Sequence, residues 1–211
     1  MCQNTRDSFK DACKRWDCDY LEYTEKTPYH PALMKLKAFE LYPDYERLFI
    51  IDSDCIIRSD TPSPFNFDKD IFGAVQNQQA RHPGAYKTAN VQGAKQGIEL
   101  VKKYKNLVSD IDIEWLSNYF FNSGVLLVNR DRHESVLDFA FGLCDNVPGL
   151  MWWDQIPLNV SMYLLLGNYT NLGEEWNYQF PYYLDRMAAY VYHFAGLPTR
   201  YEDLKHVNWK A

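Results

Sequence analysis

The sequence has no long apolar run and no excess of basic charge. A membrane-spanning helix needs about 20 consecutive apolar residues, and the longest apolar stretches, at 48–51, 124–128 and 162–166, are far shorter. Acidic residues outnumber basic residues by 28 to 22, which gives a formal net charge of −6. Nucleic-acid binding depends on clustered Lys and Arg. We therefore expect neither a membrane span nor a nucleic-acid partner.

Glycine is absent from residues 1–30, and the five cysteines form no CxxC pair. A sugar nucleotidyltransferase would need a glycine-rich phosphate loop in this first part of the chain, so that class is disfavoured. The odd number of cysteines favours a reducing compartment over a disulfide framework. The first residues also lack the apolar core of a signal peptide. Together these features predict a cytoplasmic protein.

The composition is otherwise that of a globular protein, with 46% hydrophobic and 24% charged residues, and it predicts one domain over residues 1–211. Aromatic residues are abundant (12 Phe, 6 Trp and 16 Tyr) and can stack on sugars as well as pack. Predicted strands alternate with predicted helices, which favours an α/β fold. The strands are predicted at 19–23, 48–51, 70–75, 124–128 and 188–192, and the helices at 5–16, 31–41, 97–105, 132–143 and 155–166. The uniformly apolar run 48–51 is typical of a central, parallel strand covered on both faces.

Asp52, Ser53 and Asp54 directly follow this apolar run. Ligands of open α/β sheets bind beyond the carboxyl ends of strands. In an extended chain the side chains of Asp52 and Asp54 would point the same way, so both carboxylates could hold one divalent cation. A pair of aspartates after a strand is also common on solvated loops. The pattern alone therefore leaves both interpretations open.

Three other polar groups adjoin predicted strands or helices. Asn122 and Ser123 precede a strand and could contact a polyhydroxylated ligand, although an ordinary turn would use the same residue types. Asp154 and Gln155 stand at a helix start, where an aspartate is also a routine N-cap. His193 ends a strand, and a single histidine there is usually structural. None of the three is specific by itself.

In their order and spacing, these segments resemble the family 8 glycosyltransferases of the GT-A fold, the group of glycogenin and the bacterial lipopolysaccharide galactosyltransferases. The resemblance covers about residues 28–200. The segments that carry it are 33–39, 47–54, 121–125, Asp154-Gln155 with Asn159, Trp176-Asn177, and 193–196. It implies an α/β GT-A fold with a single Rossmann-like mixed sheet, whose central, mostly parallel core is flanked by helices.

The resemblance also implies roles for individual residues. Asp52, Asp54 and His193 would bind a metal ion, Mn²⁺ or Mg²⁺, and Asp154 and Gln155 would be the catalytic pair beside the anomeric carbon. The nucleotide sugar would be contacted by Lys35, Asp52, Ser53, Asn122, Ser123, Gly196 and Arg200. Arg200 is included because Thr199 stands where the family commonly has a diphosphate-binding lysine. Relatives open with a strand and a base-binding loop before their first helix, whereas this sequence begins almost at that helix. Either a segment is omitted from the numbering or the base pocket is built differently.

The function implied is a metal-dependent, retaining glycosyltransferase. It would move a hexose or deoxyhexose from a nucleotide sugar, expected to be a UDP-sugar, to a carbohydrate acceptor. The alternative from another class is a non-catalytic glycan-binding module. That alternative explains the aromatic content but leaves Asp52, Asp54 and His193 without a purpose.

Overall fold

A computed structural model describes residues 3–77, 113–146, 154–179 and 189–194, together with helical residues 93, 95–97, 99 and 102. Most of the helix predicted at 97–105 and the end of the chain after residue 194 lie outside the described residues. No helix in the described part of the chain is both long enough and apolar enough to cross a membrane.

The helices form where apolar residues recur three and four positions apart. In the first helix Phe9 and Ala12 are buried on one face, as the sequence predicts. The helix predicted after Pro31 begins instead as a 3₁₀ turn, where the His30 side chain accepts a hydrogen bond from the Ala32 N–H. The α-helices are α1 (Gln3–Trp16), α2 (Ala38–Leu41), α3 (Ile113–Tyr119), α4 (Arg130–Asn146) and α5 (Gln155–Leu166), and 3₁₀ helices occupy Pro31–Lys37, Pro64–Asn66 and Glu174–Trp176.

The described strands form two sheets. The strands are β1 (Arg47–Ile51), β2 (Cys55–Ile57), β3 (Gly73–Gln76), β4 (Phe121–Asn129), β5 (Thr170–Asn171), β6 (Tyr178–Gln179) and β7 (Val191–His193). One sheet has the order β1-β4-β3-β5 and the other has the order β2-β7-β6. Within them, β1 pairs with β4, β3 with β4, and β2 with β7 in antiparallel fashion, whereas β3–β5 and β6–β7 are parallel.

The expectation of a single, mostly parallel sheet is therefore wrong, although the α/β class is confirmed. The run 48–51 is apolar because its side chains alternate between two cores. Leu48 and Ile50 pack with the core that includes α4, and Phe49 and Ile51 pack with the core that includes α1. Two covered faces require apolar residues whatever the direction of the neighbouring strand. The sequence pattern thus predicted apolar packing on both faces correctly. The expectation of a central, parallel strand is wrong, because β1 lies at the edge of the described sheet, pairs antiparallel with β4 and is mostly only partly buried.

The strand predicted at 19–23 is also wrong, since these residues have neither helix nor strand structure. Side-chain hydrogen bonds hold this segment in place. Arg6 donates two hydrogen bonds to Glu22, at 2.8 and 3.0 Å, and the Tyr20 hydroxyl donates a third, at 2.9 Å. Alternating apolar residues here therefore mark a segment that is packed against the core and anchored through Glu22, with no ladder of backbone hydrogen bonds.

Candidate active site

The residues between β1 and β2 form a tight turn that carries the chain from one sheet to the other. The Cys55 N–H donates to the Asp52 carbonyl at 3.2 Å. At the two sides of the turn, the Asp52 N–H bonds to the Gly124 carbonyl at 2.9 Å and the Phe194 N–H bonds to the Asp54 carbonyl at 3.0 Å. The two aspartates are therefore brought together by a turn and not, as the sequence predicts, by an extended chain.

Both aspartates face the imidazole of His193. Asp54 Oδ1 lies 3.4 Å from His193 Nε2, and Asp52 Oδ2 lies 3.9 Å from the same nitrogen. The His193 side chain is 3% exposed, against 13% for Asp54 and 30% for Asp52. The buried imidazole thus forms the floor of a site whose carboxylates open toward solvent. Two carboxylates and an imidazole are a donor set that Mn²⁺ accepts.

Cys55 is a neighbour of this cluster that the sequence analysis does not include. Donor atoms of Asp54, Cys55 and His193 all lie within 4.8 Å of one another. The proximity follows from the register of the antiparallel pair β2–β7, in which Cys55 stands directly opposite His193. The Cys55 side chain is fully buried in the apolar core that includes α1, and burial, reinforced by the Asp54 and Asp52 charges, raises the pKa of the thiol well above its ordinary value.

Lys35 lies between Asp52 and Asp154. Its ammonium nitrogen is 2.5 Å from Asp52 Oδ1, 3.1 Å from Asp154 Oδ2 and 2.9 Å from the carbonyl oxygen of Ser123, to which it donates. The contact with Asp154 is an ion pair without hydrogen-bond geometry. The Lys35 and Asp154 side chains are only 7% and 9% exposed. One buried cation therefore connects the predicted metal ligand to the predicted catalytic carboxylate.

Burial acts on both partners of the Lys35–Asp52 pair. For Lys35, burial alone would lower the pKa of the ammonium group, but the charges of Asp154 and Asp52 outweigh it and hold the pKa above its ordinary value. For Asp52, burial raises the pKa of the carboxyl group, and the nearby Asp154 charge adds to this rise while Lys35 opposes it. The lysine is therefore charged and compensates the two carboxylates.

Asp154 occupies the N-cap position of α5, but its side chain makes no capping hydrogen bond. Only its backbone acts as a cap, since the Asp154 carbonyl accepts from the Leu158 N–H at 3.0 Å. The interpretation of this aspartate as a routine helix cap is therefore wrong. Its carboxylate is directed to Lys35 instead, at 3.1 Å.

A chain of buried amides connects Gln155 to His193. Asn122 Nδ2 donates to Gln155 Oε1 at 3.1 Å, and Asn177 Nδ2 donates to Asn122 Oδ1 at 2.8 Å. Asn177 Oδ1 lies 2.9 Å from His193 Nδ1. All four side chains are at most 8% exposed. Asn177 belongs to a segment of the family resemblance, but no sequence signal assigned it a role in the site.

Gly124 is required by the close approach of this network to β4. A Cβ atom at this position would collide with the His193 ring, 2.6 Å from Nδ1, and would lie 2.8 Å from Asn122 Oδ1. Its own N–H donates to Asn122 Oδ1 at 2.9 Å. Only a residue without a side chain leaves room for the imidazole here.

The cluster opens into a cleft of about 820 Å³ on the side of β1. Asp52, Ser53, Asp54 and Lys35 line it, with Tyr20, Tyr23 and Phe49 among the aromatic residues of its wall. This volume lies in the range of small-molecule and cofactor sites. The structure thus brings together Lys35, Asp52, Ser53, Asp54, Asn122, Ser123, Asp154, Gln155 and His193, whereas Gly196 and Arg200 lie outside the described residues.

Comparisons with known proteins agree with this arrangement. Residues 6–199 match the sequence pattern of the family described as Glycosyl transferase family 8. No curated protein sequence matches the chain. Among solved structures, the chain is similar to a glycosyltransferase involved in glycosylation of the major capsid of PBCV-1, with 15% identity, a TM-score of 0.59, and coverage of 97% of this chain and 92% of that one.

Two further glycosyltransferase structures are also similar in fold. The galactosyltransferase LgtC, solved with donor and acceptor sugar analogues, has 20% identity, a TM-score of 0.50, and coverage of 78% of this chain and 58% of its own. GlyE of Streptococcus pneumoniae TIGR4, in its apo form, has 12% identity, a TM-score of 0.51, and coverage of 98% of this chain and 50% of its own. The chain thus spans between half and three fifths of the length of these two structures. The family match over residues 6–199 and the shared α/β fold lead to one conclusion: the chain belongs to glycosyl transferase family 8.

Proposed function

We propose that the protein is a metal-dependent, retaining glycosyltransferase that moves a hexose or deoxyhexose from a UDP-sugar to a carbohydrate acceptor. The observation that carries this proposal is the convergence of Asp52, Asp54 and His193, with the Lys35–Asp154 pair beside them, next to a cleft that Lys35, Asp52 and Asp54 line. A cleft of about 820 Å³ is large enough for a nucleotide sugar. Membership of family 8 is consistent with this activity.

The residues present fit a divalent cation. Asp54 Oδ1 and Asp52 Oδ2 lie 3.4 and 3.9 Å from His193 Nε2, so both carboxylates face the same imidazole nitrogen. Mn²⁺ or Mg²⁺ held there would offset the negative charge of a nucleotide diphosphate, which a protein of net charge −6 otherwise repels. We assign Asp52, Asp54 and His193 as the ligands. Cys55 is left out because these hard cations prefer oxygen donors and its thiol is enclosed in the apolar core.

Asp154 is best suited to act electrostatically. A carboxylate nucleophile would need a free oxygen at about 3 to 3.5 Å from the anomeric carbon. Asp154 Oδ2 instead lies 3.1 Å from Lys35 Nζ, and the Asp154 side chain is 9% exposed. This supports a front-face reaction, in which the acceptor hydroxyl attacks and gives its proton to the departing phosphate oxygen. Asp154 would then orient the acceptor and stabilise positive charge on the sugar ring.

Gln155 and Asn122 are assigned to the sugar. Gln155 Oε1 accepts a hydrogen bond from Asn122, so the amide NH₂ of Gln155 is the part not engaged by Asn122. Both side chains are nearly buried, at 8% and 7% exposure, and their positions are therefore well defined before a ligand binds. Such pre-positioned amides recognise hydroxyl groups with little further ordering.

A non-catalytic glycan-binding module would not need this arrangement. Burying the Lys35–Asp154 ion pair, whose side chains are 7% and 9% exposed, costs free energy that a binding surface has no reason to bear. The aromatic side chains that first suggested a lectin in part fill the core, as Phe121 and Trp176 do. The described residues therefore favour catalysis over binding alone.

The test is UDP binding with and without Mn²⁺, measured by calorimetry. Asp54→Asn and His193→Ala should each weaken Mn²⁺-dependent UDP affinity at least tenfold, because each removes one ligand. Asp60→Asn is the matched control, since Asp60 pairs only with Arg58 at the surface in the described structure. Equal UDP affinity in parent and variants, with and without EDTA, would refute the metal assignment.

The reaction itself is tested by a donor-hydrolysis screen over UDP- and GDP-sugars, followed by NMR of the transfer product. We expect turnover with a UDP-sugar and a retained anomeric configuration. Asp154→Asn should reduce turnover sharply while donor binding survives, because the metal and diphosphate contacts lie elsewhere. An inverted product would contradict the retaining assignment, and a sugar ester trapped on Asp154 would contradict the front-face reaction.

A further inference from the structure

Asn177 is fully buried and contacts the ring of His193 on the side away from the aspartates. Its relative exposure is 0%, and its amide lies between Asn122 Oδ1 at 2.8 Å and His193 Nδ1 at 2.9 Å. A buried amide with two polar neighbours must present its oxygen to one and its nitrogen to the other. Which way it points decides which ring nitrogen of His193 carries the proton.

The direction is fixed by a backbone group at the start of the chain of hydrogen bonds. The Gly124 N–H can only donate, and it donates to the Asn122 side chain at 2.9 Å. The atom of Asn122 that receives it must therefore be Oδ1. The same Oδ1 faces Asn177, so Asn177 must offer it the NH₂ group. The reverse orientation of Asn122 would place two donors against each other in a buried site.

The remaining atom of Asn177 is then its carbonyl oxygen, which faces His193 Nδ1. An acceptor at that position requires Nδ1 to carry a hydrogen. The lone pair of the neutral ring is consequently on Nε2, the nitrogen that lies 3.4 Å from Asp54 Oδ1 and 3.9 Å from Asp52 Oδ2. The hydrogen-bond direction set at Gly124 thus reaches the predicted metal ligand through two side-chain amides.

We propose that Asn177 is a positioning residue that holds His193 in the tautomer protonated on Nδ1 and directs Nε2 at the metal site. The role of the metal rests on the function proposed above, whereas the tautomer does not depend on it. Metal-binding histidines are generally oriented in this way by an acceptor at the other ring nitrogen. The same amide also connects Asn122 to His193, so Asn177 joins the sugar-binding amides to the metal ligand.

The tautomer can be read directly from ¹⁵N NMR of the histidine side chains, recorded without metal and at alkaline pH. In the parent protein we expect the His193 signals of the Nδ1–H form. Asn177→Asp should retain this form because a carboxylate still accepts from Nδ1, but it should lose stability because its second oxygen faces the acceptor Asn122 Oδ1. Asn177→Ala should lose the Nδ1–H form. A parent spectrum of the Nε2–H form, or a tautomer unchanged in Asn177→Ala, would overturn the proposal.

Mn²⁺ affinity, followed by electron paramagnetic resonance of the free ion, gives a second measurement. Asn177→Ala should bind Mn²⁺ about 10 to 100-fold more weakly than the parent, and Asn177→Asp should recover most of this loss. Asn159→Ala is the matched control, since Asn159 is also fully buried but bonds to the backbone of Phe121 and Gln155. It should lose stability and keep the His193 tautomer.

The two proposals fail differently. If the parent does not bind Mn²⁺, or binds it as Asp54→Asn does, the metal-dependent function is wrong while the parent spectrum still decides the tautomer. If the parent binds Mn²⁺ and Asn177→Ala binds it equally well, the positioning role of Asn177 is wrong and the metal site stands.

Discussion

The two sides of the candidate active site are built on different principles. On one side, Lys35, Asp52 and Asp154 form a cluster of charges, of which Asp52 is still 30% exposed at the cleft. On the other side, the side-chain amides of Gln155, Asn122 and Asn177 form a hydrogen-bonded chain that ends at the His193 ring, and each of these side chains is at most 8% exposed. On the charged side, the Lys35 ammonium group compensates the charges of the Asp52 and Asp154 carboxylates. The amide side fixes the direction of every hydrogen bond.

The difference shows what each side can do when a ligand arrives. Ion pairs are non-directional, so the charged side can exchange partners as a cation or a diphosphate enters. The amide chain has no such freedom, because reversing one amide would leave buried donors facing each other. The charged side, at the open cleft, can therefore change its partners when a ligand binds, whereas the amide side, against β4, keeps its hydrogen bonds.

Removing the positive charge of Lys35 should disrupt the charged side of the site and should have the largest effect on stability. Lys35→Met keeps the length of the side chain but leaves Asp52 and Asp154 without their shared partner. Loss of one member of a buried ion pair costs 3 to 5 kcal/mol, and because Asp52 is partly exposed we expect about 3 kcal/mol. Urea unfolding of the parent and the variant measures this difference.

Lys37→Met is the control for the charged side. Lys37 lies two residues away and pairs with Glu40, whose side chain is 63% exposed. An exposed pair of this kind contributes less than about 1 kcal/mol. Equal losses of stability for the two lysine variants would mean that the buried Lys35 cluster stabilises the fold no more than an exposed ion pair does.

Gly124→Ala should break the amide side through steric overlap. The added Cβ would lie 2.6 Å from His193 Nδ1 and 2.8 Å from Asn122 Oδ1, in a site with no room to relax. Overpacking of this kind costs about 1 to 3 kcal/mol, and the displaced ring should also bind Mn²⁺ more weakly. Thermal unfolding and a Mn²⁺ titration measure the two effects.

Gly142→Ala separates steric overlap from a general effect of replacing glycine. Gly142 lies inside α4, and a Cβ there would meet nothing within 4 Å. Alanine in a helix interior is favoured over glycine by about 1 kcal/mol, so this variant should be at least as stable as the parent. A loss at Gly142 comparable to that at Gly124 would remove the steric explanation.

His133 lies at the other end of β4, and its contribution to stability can be measured as a function of pH. His133 is buried and accepts a hydrogen bond from the Asn129 N–H at Nδ1, at 2.8 Å. Burial, with a smaller contribution from the Arg132 charge, lowers its pKa from 6.5 to about 4. The unfolded chain thus binds the proton at higher pH than the folded chain does. Stability should fall as the pH drops from about 6.5 to about 4, by at most about 1.4 kcal/mol per pH unit.

His133→Gln should show a shallower dependence in this window. Glutamine can accept a hydrogen bond but does not titrate, so the difference between the two proteins isolates the contribution of His133. Urea midpoints measured across the window provide the comparison. Parallel curves for the parent and the variant would mean that His133 does not titrate differently in the folded and unfolded states.

Cys55→Ser gives the smallest expected effect and identifies which residues hold the metal. If Asp52 is the third ligand, replacing the Cys55 thiol should leave Mn²⁺ affinity within about twofold of the parent value, because hard cations bind carboxylates in preference to sulfur. Some stability is lost, since a hydroxyl enters an apolar core. A tenfold change in Mn²⁺ affinity, in either direction, would place Cys55 in the ligand set instead of Asp52.

Much of the local structure could be predicted from the sequence. Helix α5 has the predicted bounds of 155–166, and α1 and β4 were correctly located. These elements carry strong periodic or apolar patterns that local packing satisfies. The direction of β1 and the absence of a strand at 19–23 could not be predicted, because strand pairing depends on which distant segments supply the partner.

The motifs in the sequence identify individual residues of the candidate site, and those residues could be predicted. Nine of the predicted residues converge in the described structure, from Lys35 to His193. Cys55 and Asn177 were missed as parts of the site for a common reason. Cys55 comes into reach of His193 through strand register, and Asn177 through a chain of hydrogen bonds, neither of which leaves a local signal in the sequence.

The sequence by itself determined that the protein is an α/β member of glycosyl transferase family 8, since periodicity and the order of short motifs are properties of the chain alone. Only the tertiary structure decided that Asp154 pairs with Lys35 and does not cap α5, and that the hydrogen bonds beside Gly124 run toward His193 in one direction. A motif specifies which groups are present. The tautomer of an imidazole and the partner of a carboxylate depend on groups tens of residues away, which only folding brings within hydrogen-bond distance.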